Sequence, residues 1–278
     1  MVSLFGLFPY IHEDIFLQYR PFPETTTNVA VAHWHEVAGS FVFYLAVHFL
    51  APHFSRTFCP KAYASLSPKN RANFDIHHVA MVQALISIVV TAFFWNNPDW
   101  TSNDIHGYRP FGGFISAITV GYFIWDLAVC ARYFHLFGVG FLAHAVAALA
   151  VFAATLIPFC QPWVPCFLLF ELSSPFVNMN WYASRLPEGT FSNTFVLVNG
   201  LCLMVTFFSV RIVWGFYAIY TCLWSYYTQW ATIDHKWVPI MIVSLNTMLN
   251  VLNVFWFTKM VQIAIKKVLG KSRSKKLE

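Results

Sequence analysis

The stretch Phe167–Tyr182, FLLFELSSPFVNMNWY, decides how this chain folds. It places Glu171 inside an apolar segment, where an unpaired carboxylate is costly in a membrane. It then places Pro175 where a helix would continue, which frees backbone groups that need other partners. A membrane segment with both features is expected to line a protected cavity, and the rest of the chain is expected to form the wall of that cavity.

The composition indicates a multi-pass membrane protein. Of the 278 residues, 58% are hydrophobic and 10% are charged, whereas a soluble domain carries about 25% charged residues. Seven apolar segments lie near 34–51, 75–95, 112–131, 138–157, 160–180, 194–224 and 238–264. Because a span needs about 20 residues, these segments predict an all-α membrane protein with seven transmembrane helices.

The basic residues predict the orientation of the chain. Twelve of the 17 lysines and arginines flank the segments on one side, three lie on the other side and two lie inside segments. Since cytosolic loops carry an excess of Lys and Arg, the C-terminus is expected in the cytosol. The chain then divides into an N-terminal luminal segment over 1–33, a membrane domain over 34–265 and a basic cytosolic tail over 266–278. Basic residues that flank apolar spans indicate no nucleic-acid partner.

The basic tail carries Lys275 and Lys276 in the order KKLE. This arrangement matches a dilysine retrieval signal, which coat proteins read and which is not itself a membrane anchor. The signal predicts residence in the endoplasmic reticulum membrane, with coat proteins as partners. The alternative is a basic tail that contacts anionic lipid.

Polar residues at membrane depth define the candidate site. Segments two to seven carry, in order, Asp75, His77, His78 and Gln83; Tyr122 and Asp126; His144; Glu171, Ser173, Ser174, Asn178 and Asn180; Arg211; and Asn246, Asn250 and Asn253. Because lipid does not accept such groups, six helices are expected to surround a polar lumen, with segment one outside. The asparagines of segment seven share one helix face, and hydrogen bonds between helices are their simplest role.

Asp126 and His144 form the candidate catalytic pair. In the predicted orientation both lie roughly 7–10 Å from the cytosolic face, at 1.5 Å rise per residue. Asp126 would orient the imidazole, and His144 would act as general base or acyl acceptor. Alternatives stay open, in which His144 is a structural residue or Asp126 forms an ion pair with Arg211. Glu171 could equally cap the backbone that Pro175 frees.

Several of these residues resemble one family. Glu171-Leu-Ser-Ser-Pro-Phe-Val-Asn178 resembles the signature of the TLC-domain proteins, whose superfamily includes the ceramide synthases. Further matches are Asn70-Arg71 with His77 and His78, Gly121-Tyr122 with Asp126, the helix of His144, Val210-Arg211-Ile212, and Leu249-Asn250 with Trp256-Phe257. They cover roughly residues 35–265 and are most similar to the small TLC-domain proteins. The resemblance implies a six-helix barrel around a lipid-sized cavity, residence in the endoplasmic reticulum and a link to lipid composition, with sphingolipids as the related class.

The chain departs from the ceramide synthases at the helix of His144. Those enzymes carry a His-His pair there and aspartates on the next helix, whereas this chain has Ala143-His144 and no aspartate in segment five. The first hypothesis is therefore a lipid-homeostasis protein that binds a lipid or acyl chain in its cavity. The residues expected to line this cavity are His78, Tyr122, Glu171, Ser174, Asn178, Arg211 and Asn250.

The alternative is an acyl-CoA-dependent acyltransferase related to the ceramide synthases, with His144 and Asp126 as its catalytic pair. Acyl-CoA would then be a substrate, and no cofactor is expected in either case. The six cysteines show no metal-ligand spacing, so no metal site is expected. Membrane lipids or acyl-CoA are the expected small-molecule partners.

Overall fold

The computed structural model describes residues 9–95 and 103–275, with side chains up to residue 266. These residues form an all-helical protein, which confirms the predicted class. The main helices are α1 (Trp34–Phe58), α2 (Pro68–Phe94), α3 (Pro110–Arg132), α4 (Phe134–Ala154), α5 (Ser174–Arg185), α6 (Asn193–Thr232) and α7 (Trp237–Lys275). In the described part of the chain six of them, all but α5, are long and apolar enough to cross a membrane.

Local capping decides where α2 and α6 begin. The hydroxyl of Ser67 accepts a hydrogen bond from the amide of Asn70 at 3.3 Å, and Pro68 occupies the first turn of α2. The hydroxyl of Ser192 accepts from the amide of Phe195 at 3.1 Å in the same way. Such caps satisfy amides that have no partner inside the helix. The helix α2 therefore begins before the apolar segment predicted near 75–95.

The helices α1 and α3 touch through two glycines of α3. A Cβ atom on Gly113 would lie 2.1 Å from Nε2 of His33, and one on Gly121 would lie 2.6 Å from the carbonyl oxygen of Val37. The hydroxyl of Ser40 also donates to a backbone carbonyl of α3 at 2.7 Å. Small residues allow helix backbones in membranes to approach this closely. We call the close contacts at Gly113 and Gly121 the glycine seam, and this seam holds α1 against α3.

The contacts among α2 to α7 form a closed cycle that does not follow the order of the chain. Helix α2 contacts α3, α3 packs against α4, and α4 packs against α7. Helix α7 then contacts α6, α6 contacts α5, and α5 returns to α2, while α1 packs against α2 and α3. No order of neighbours was predicted from the sequence. The closed barrel around a lipid-sized cavity stays a prediction.

The fifth predicted segment, near 160–180, is broken into short pieces. An α-helical turn, Val164–Leu168, leads into a 3₁₀ turn, Leu169–Ser173, and α5 follows with Pro175 in its first turn. Proline has no amide hydrogen, so it is tolerated at a helix start and interrupts the helix that would run through it. We call residues 161–185 the broken segment.

The broken segment runs from one end of the bundle to the other. Just before it, the amide of Cys160 donates to the carbonyl of Ile105, which lies between α2 and α3. At its far end, Tyr182 packs against Phe74 near the start of α2, with ring centroids 4.8 Å apart. These contacts support a seventh crossing, although its helices are too short to be identified as a span by length. The count of seven stays a prediction.

Two of the long helices depart from regular α geometry. In α4, Gly138 has φ 74° and ψ −175°, a conformation that residues with a side chain rarely adopt. In α6, the residues Phe208–Val213 form a π-helical turn that contains Arg211. A π turn changes the direction of the side chains around it and often marks a functional position. These two irregularities position the side chains of the candidate site.

The predicted basic tail, 266–278, begins inside α7. The helix continues to Lys275, so the first part of the tail is helical. Lys276 and the residues after it lie outside the described residues, as does the side chain of Lys275. The dilysine signal therefore stays a prediction.

Candidate intramembrane cavity

A cavity lies between α2, α3, α4, the broken segment, α6 and α7. Its empty volume is about 530 Å³, which includes the space next to its opening. Its polar lining residues are Gln83, His144, Glu171, Arg211 and Asn246, and its apolar ones are Phe123, Ala148, Val151, Phe152, Phe167, Leu168, Phe170 and Leu249. A second, smaller cavity, lined mainly by apolar and aromatic residues, shares Val151, Phe152 and Phe167 with it. We call the first cavity, with its five polar residues, the polar compartment, and the second cavity the apolar compartment; the two adjoin at the three shared residues.

Arg211 is the centre of the polar compartment. Its Nε donates to the hydroxyl of Ser173 at 2.9 Å, and its Nη2 donates to the hydroxyl of Ser174 at 3.2 Å. Nη2 also lies 3.9 Å from Oε1 of Glu171, and the guanidinium carbon lies 5.3 Å from the centroid of the Phe207 ring. Arg211 thus pairs with Glu171 on the broken segment. The sequence had left open an ion pair with Asp126 instead.

His144 lines the cavity, but its predicted pairing with Asp126 is absent. Among the described residues Nδ1 of His144 has no hydrogen-bond partner, and the imidazole packs edge-on against Trp256 with ring centroids 5.7 Å apart. Asp126 instead accepts a long contact from Sγ of Cys130 at 3.8 Å. The predicted pair rested on a shared depth in the membrane, and a shared depth does not set the direction in which each side chain points.

Two predicted cavity residues, His78 and Asn178, lie at the interface of α2 and α5 instead. Nδ1 of His78 lies 2.9 Å from the carbonyl oxygen of Phe74 and 3.1 Å from the hydroxyl of Tyr182. The amide oxygen of Asn178 lies 2.7 Å from Nδ1 of His77. These residues form a hydrogen-bonded cluster that joins the broken segment to α2. Neither His78 nor Asn178 lines the cavity.

Tyr122 and Asn250, also predicted for the cavity, lie in contacts between helices. Tyr122 packs edge-on against Tyr44 with ring centroids 5.1 Å apart. Asn250 is buried beside Gly215, whose added Cβ would lie 3.3 Å from Oδ1 of the asparagine. Asn246 and Asn253 are also buried, as expected for one inward face of α7. Of the three asparagines, Asn246 lines the cavity.

The predicted cavity lining omitted Gln83 and the apolar wall. The hydroxyl of Tyr44 donates to Oε1 of Gln83, and Nε2 of Gln83 donates to Ser87 at 2.8 Å. Gln83 was among the polar residues expected at membrane depth, but it was not assigned to the cavity lining. Ala148 and Phe152 carry no polar signal of this kind, because an apolar residue that faces a cavity resembles one that faces lipid.

These features define an integral membrane protein of the all-helical class, with a cavity between its helices. The chain matches the TLC domain over residues 73–262. It belongs to the TLC-domain family.

Relatives from fungi and animals match most of the chain. It is 37% identical to Topoisomerase I damage affected protein 4 of Saccharomyces cerevisiae, over 92% of each protein. It is 33% identical to an uncharacterized TLC domain-containing protein of Schizosaccharomyces pombe, over 88% of this chain and 83% of the relative. It is 30% identical to TLC domain-containing protein 4 of Homo sapiens, over 81% of this chain and 86% of the relative. No solved structure gives a significant match.

Proposed function

We propose that this protein binds a lipid or an acyl chain in its intramembrane cavity and acts in membrane lipid homeostasis. The observation that carries the proposal is the polar compartment around Arg211, which adjoins an apolar cavity. The polar end would hold a head group, and the apolar end would hold the chain. The relation to the ceramide synthases makes sphingolipids one class to examine.

The guanidinium of Arg211 suits an anionic or strongly polar head group. Its two hydrogen bonds to serine hydroxyls fix its orientation, and a guanidinium has five N–H donors. At 3.9 Å, the ion pair with Glu171 is long. Donors that the serines do not use are therefore available to a carboxylate or phosphate, which a guanidinium binds through two parallel hydrogen bonds.

The apolar compartment suits a hydrocarbon chain. Phe152 and Val151 line both cavities, and Ala148 is a small residue in the wall of the first one. Ligand sites are commonly apolar with a few polar groups that set the orientation of the ligand. A larger side chain at position 148 would occupy the space between the head-group end and the chain end.

Lipid that copurifies with the protein tests this proposal. Wild-type protein purified in detergent should carry a defined lipid, identified by mass spectrometry. Ala148→Phe should lose most of that lipid, because the added ring fills the cavity. Val146→Phe is the matched control, since Val146 lies on the same helix and is 49% exposed. No specific lipid in the wild type, or equal lipid in both variants, would contradict the proposal.

An acyltransferase is the second candidate function, and the free Nδ1 of His144 in the cavity favours it. The imidazole would take the proton from an amine or hydroxyl acceptor as that group attacks the thioester of acyl-CoA. The carbon–sulfur bond then breaks, and the departing thiolate of coenzyme A takes up the proton. His144 would act without Asp126, because no hydrogen bond joins the two residues in the described part of the chain.

We propose residence in the endoplasmic reticulum with a cytosolic C-terminus. The asymmetry of lysines and arginines supports the orientation, and Lys275 with Lys276 supports retrieval. Protease added to intact microsomes should remove a C-terminal tag and spare an N-terminal one. A protected C-terminal tag would refute the orientation. Replacement of both lysines by serine should move the protein to later compartments, and unchanged localisation would refute the retrieval signal.

A further inference from the structure

A second cluster of buried ionisable side chains lies outside the cavity, where the N-terminal segment meets α1. Asp14 comes from that segment, while His33 and Glu36 lie at the start of α1. Their side-chain N and O atoms lie within 4.8 Å of one another. Asp14, His33 and Glu36 are 9%, 0% and 6% exposed. We call these three residues the N-terminal cluster.

Neighbouring residues fix the imidazole of His33. Its ring fits against Gly113 of α3, where a Cβ atom would clash with it. Nε2 lies 2.9 Å from the hydroxyl of Tyr108, while Nδ1 lies 2.7 Å from Oε2 of Glu36 and 3.5 Å from Oδ2 of Asp14. With its proton on Nε2, His33 donates to Tyr108 and directs the lone pair of Nδ1 toward the carboxylates. Metal-binding histidines are commonly oriented by such a partner.

The carboxylates of the N-terminal cluster are incompletely satisfied. Oδ2 of Asp14 and Oε1 of Glu36 are buried and have no hydrogen-bond partner among the described residues. Nε2 of His35 lies 3.6 Å from Oε1 of Glu36, beyond hydrogen-bond distance. The guanidinium of Arg20 donates to two backbone carbonyls of the N-terminal segment instead. Unsatisfied buried carboxylates are costly, and a bound cation would remove that cost.

We propose that Asp14, His33 and Glu36 bind one divalent transition-metal ion, with Zn²⁺ as the best match. One imidazole nitrogen and two carboxylates are ligand types that zinc accepts, and water can complete a four-coordinate site. Calcium and magnesium prefer oxygen ligands throughout. The ion would fasten the N-terminal segment to α1 and, through Tyr108, to the start of α3. The expectation of no metal rested on cysteine spacing, and none of these ligands is a cysteine.

Zinc binding to the full-length protein in detergent tests the site. Chelator-stripped protein is titrated with Zn²⁺ against a chromophoric chelator, and its melting temperature is measured with and without the ion. The wild type should bind one zinc per chain and melt at a higher temperature with zinc. Asp14→Asn and Glu36→Gln should each lower the zinc affinity by about tenfold or more and lose the thermal shift.

Asp104→Asn is the matched control for these variants. Asp104 is an acidic residue between α2 and α3 that accepts hydrogen bonds from Ser225 and, at 2.7 Å, from Gln229. This variant should bind zinc as the wild type does. A wild type that binds no zinc would overturn the proposal, as would unchanged affinity in both cluster variants. Elemental analysis of purified wild-type protein and proton release on zinc addition test the site even where a variant fails to fold.

Discussion

The cavity and the N-terminal cluster both bury ionisable side chains, but they balance charge in different ways. In the cavity one guanidinium, Arg211, faces one carboxylate, Glu171, at 3.9 Å, within a lining that is otherwise mainly apolar. In the N-terminal cluster two carboxylates and the imidazole of His33 lie within 4.8 Å of one another, and Nε2 of His35 lies 3.6 Å from Oε1 of Glu36. A balanced polar set in a mainly apolar cavity suits a large and mainly apolar ligand. A closely spaced acidic set suits a small cation, and the two sites should therefore respond oppositely to the loss of charge.

Replacing Arg211, the positively charged residue of the cavity, should have the largest effect on stability. Arg211→Gln leaves Glu171 without its ion-pair partner and Ser173 without its donor, at a cost of about 1–3 kcal/mol in unfolding free energy. Thermal unfolding in detergent measures this loss, and copurified lipid should fall with it. Arg211→Lys keeps the charge and should lose less. If Arg211→Gln unfolds like the wild type and keeps its lipid, the guanidinium does not organise the cavity.

Removing a negative charge from the N-terminal cluster should raise the stability of the zinc-free protein, which is opposite to the effect expected in the cavity. In Asp14→Asn, the side-chain amide can donate to the unpartnered Oε1 of Glu36 and stabilise the chelated protein by about 1 kcal/mol. With saturating zinc the order should reverse, because only the wild type gains binding energy. Melting temperatures of the wild type and Asp14→Asn, each measured with chelator and with zinc, test this reversal of the order of stability. The same order under both conditions would argue against a cation site.

Removing His144 should have the smallest effect on stability. Within residues 9–95 and 103–275 Nδ1 has no hydrogen bond to lose, so His144→Ala should cost about 0.5 kcal/mol from the edge-on contact with Trp256. His135→Ala is the control on the exposed part of the same helix. In an acyltransferase, only His144→Ala should abolish acyl transfer from long-chain acyl-CoA to amine or hydroxyl lipids. Transfer that persists in this variant would exclude His144 from the chemistry.

Hydropathy located the long helices because lipid contact requires apolar side chains along most of a span. The segments predicted near 112–131 and 238–264 correspond to α3 and α7. The ends were less accurate, because a helix continues through polar residues once it is capped. Helix α2 contains Lys69 and Arg71 behind the Ser67 cap, and these residues lie outside any apolar window.

The candidate site was only partly predictable from the sequence. Glu171 and Arg211 stood out because each is costly in lipid, and both line the cavity. Their pairing depends on a 3₁₀ turn and a π turn, neither of which follows the 3.6-residue period that sequence patterns assume. The N-terminal cluster was missed because the fold brings Asp14 to α1, and no local spacing encodes that contact.

The glycine seam also limits how this protein adapts to its bilayer. Contacts at Gly113 and Gly121 leave no room for α1 to slide or rotate against α3. We therefore expect the two helices to tilt together as one rigid unit. A mismatch between hydrophobic length and bilayer thickness is otherwise met by tilting or bending. Bending falls to α4 at Gly138 and to α6 at its π turn, the helices that carry His144 and Arg211. We therefore expect a change in bilayer thickness to reach the walls of the cavity. Under the proposed function, the amount of copurified lipid should then vary with the thickness of the surrounding membrane.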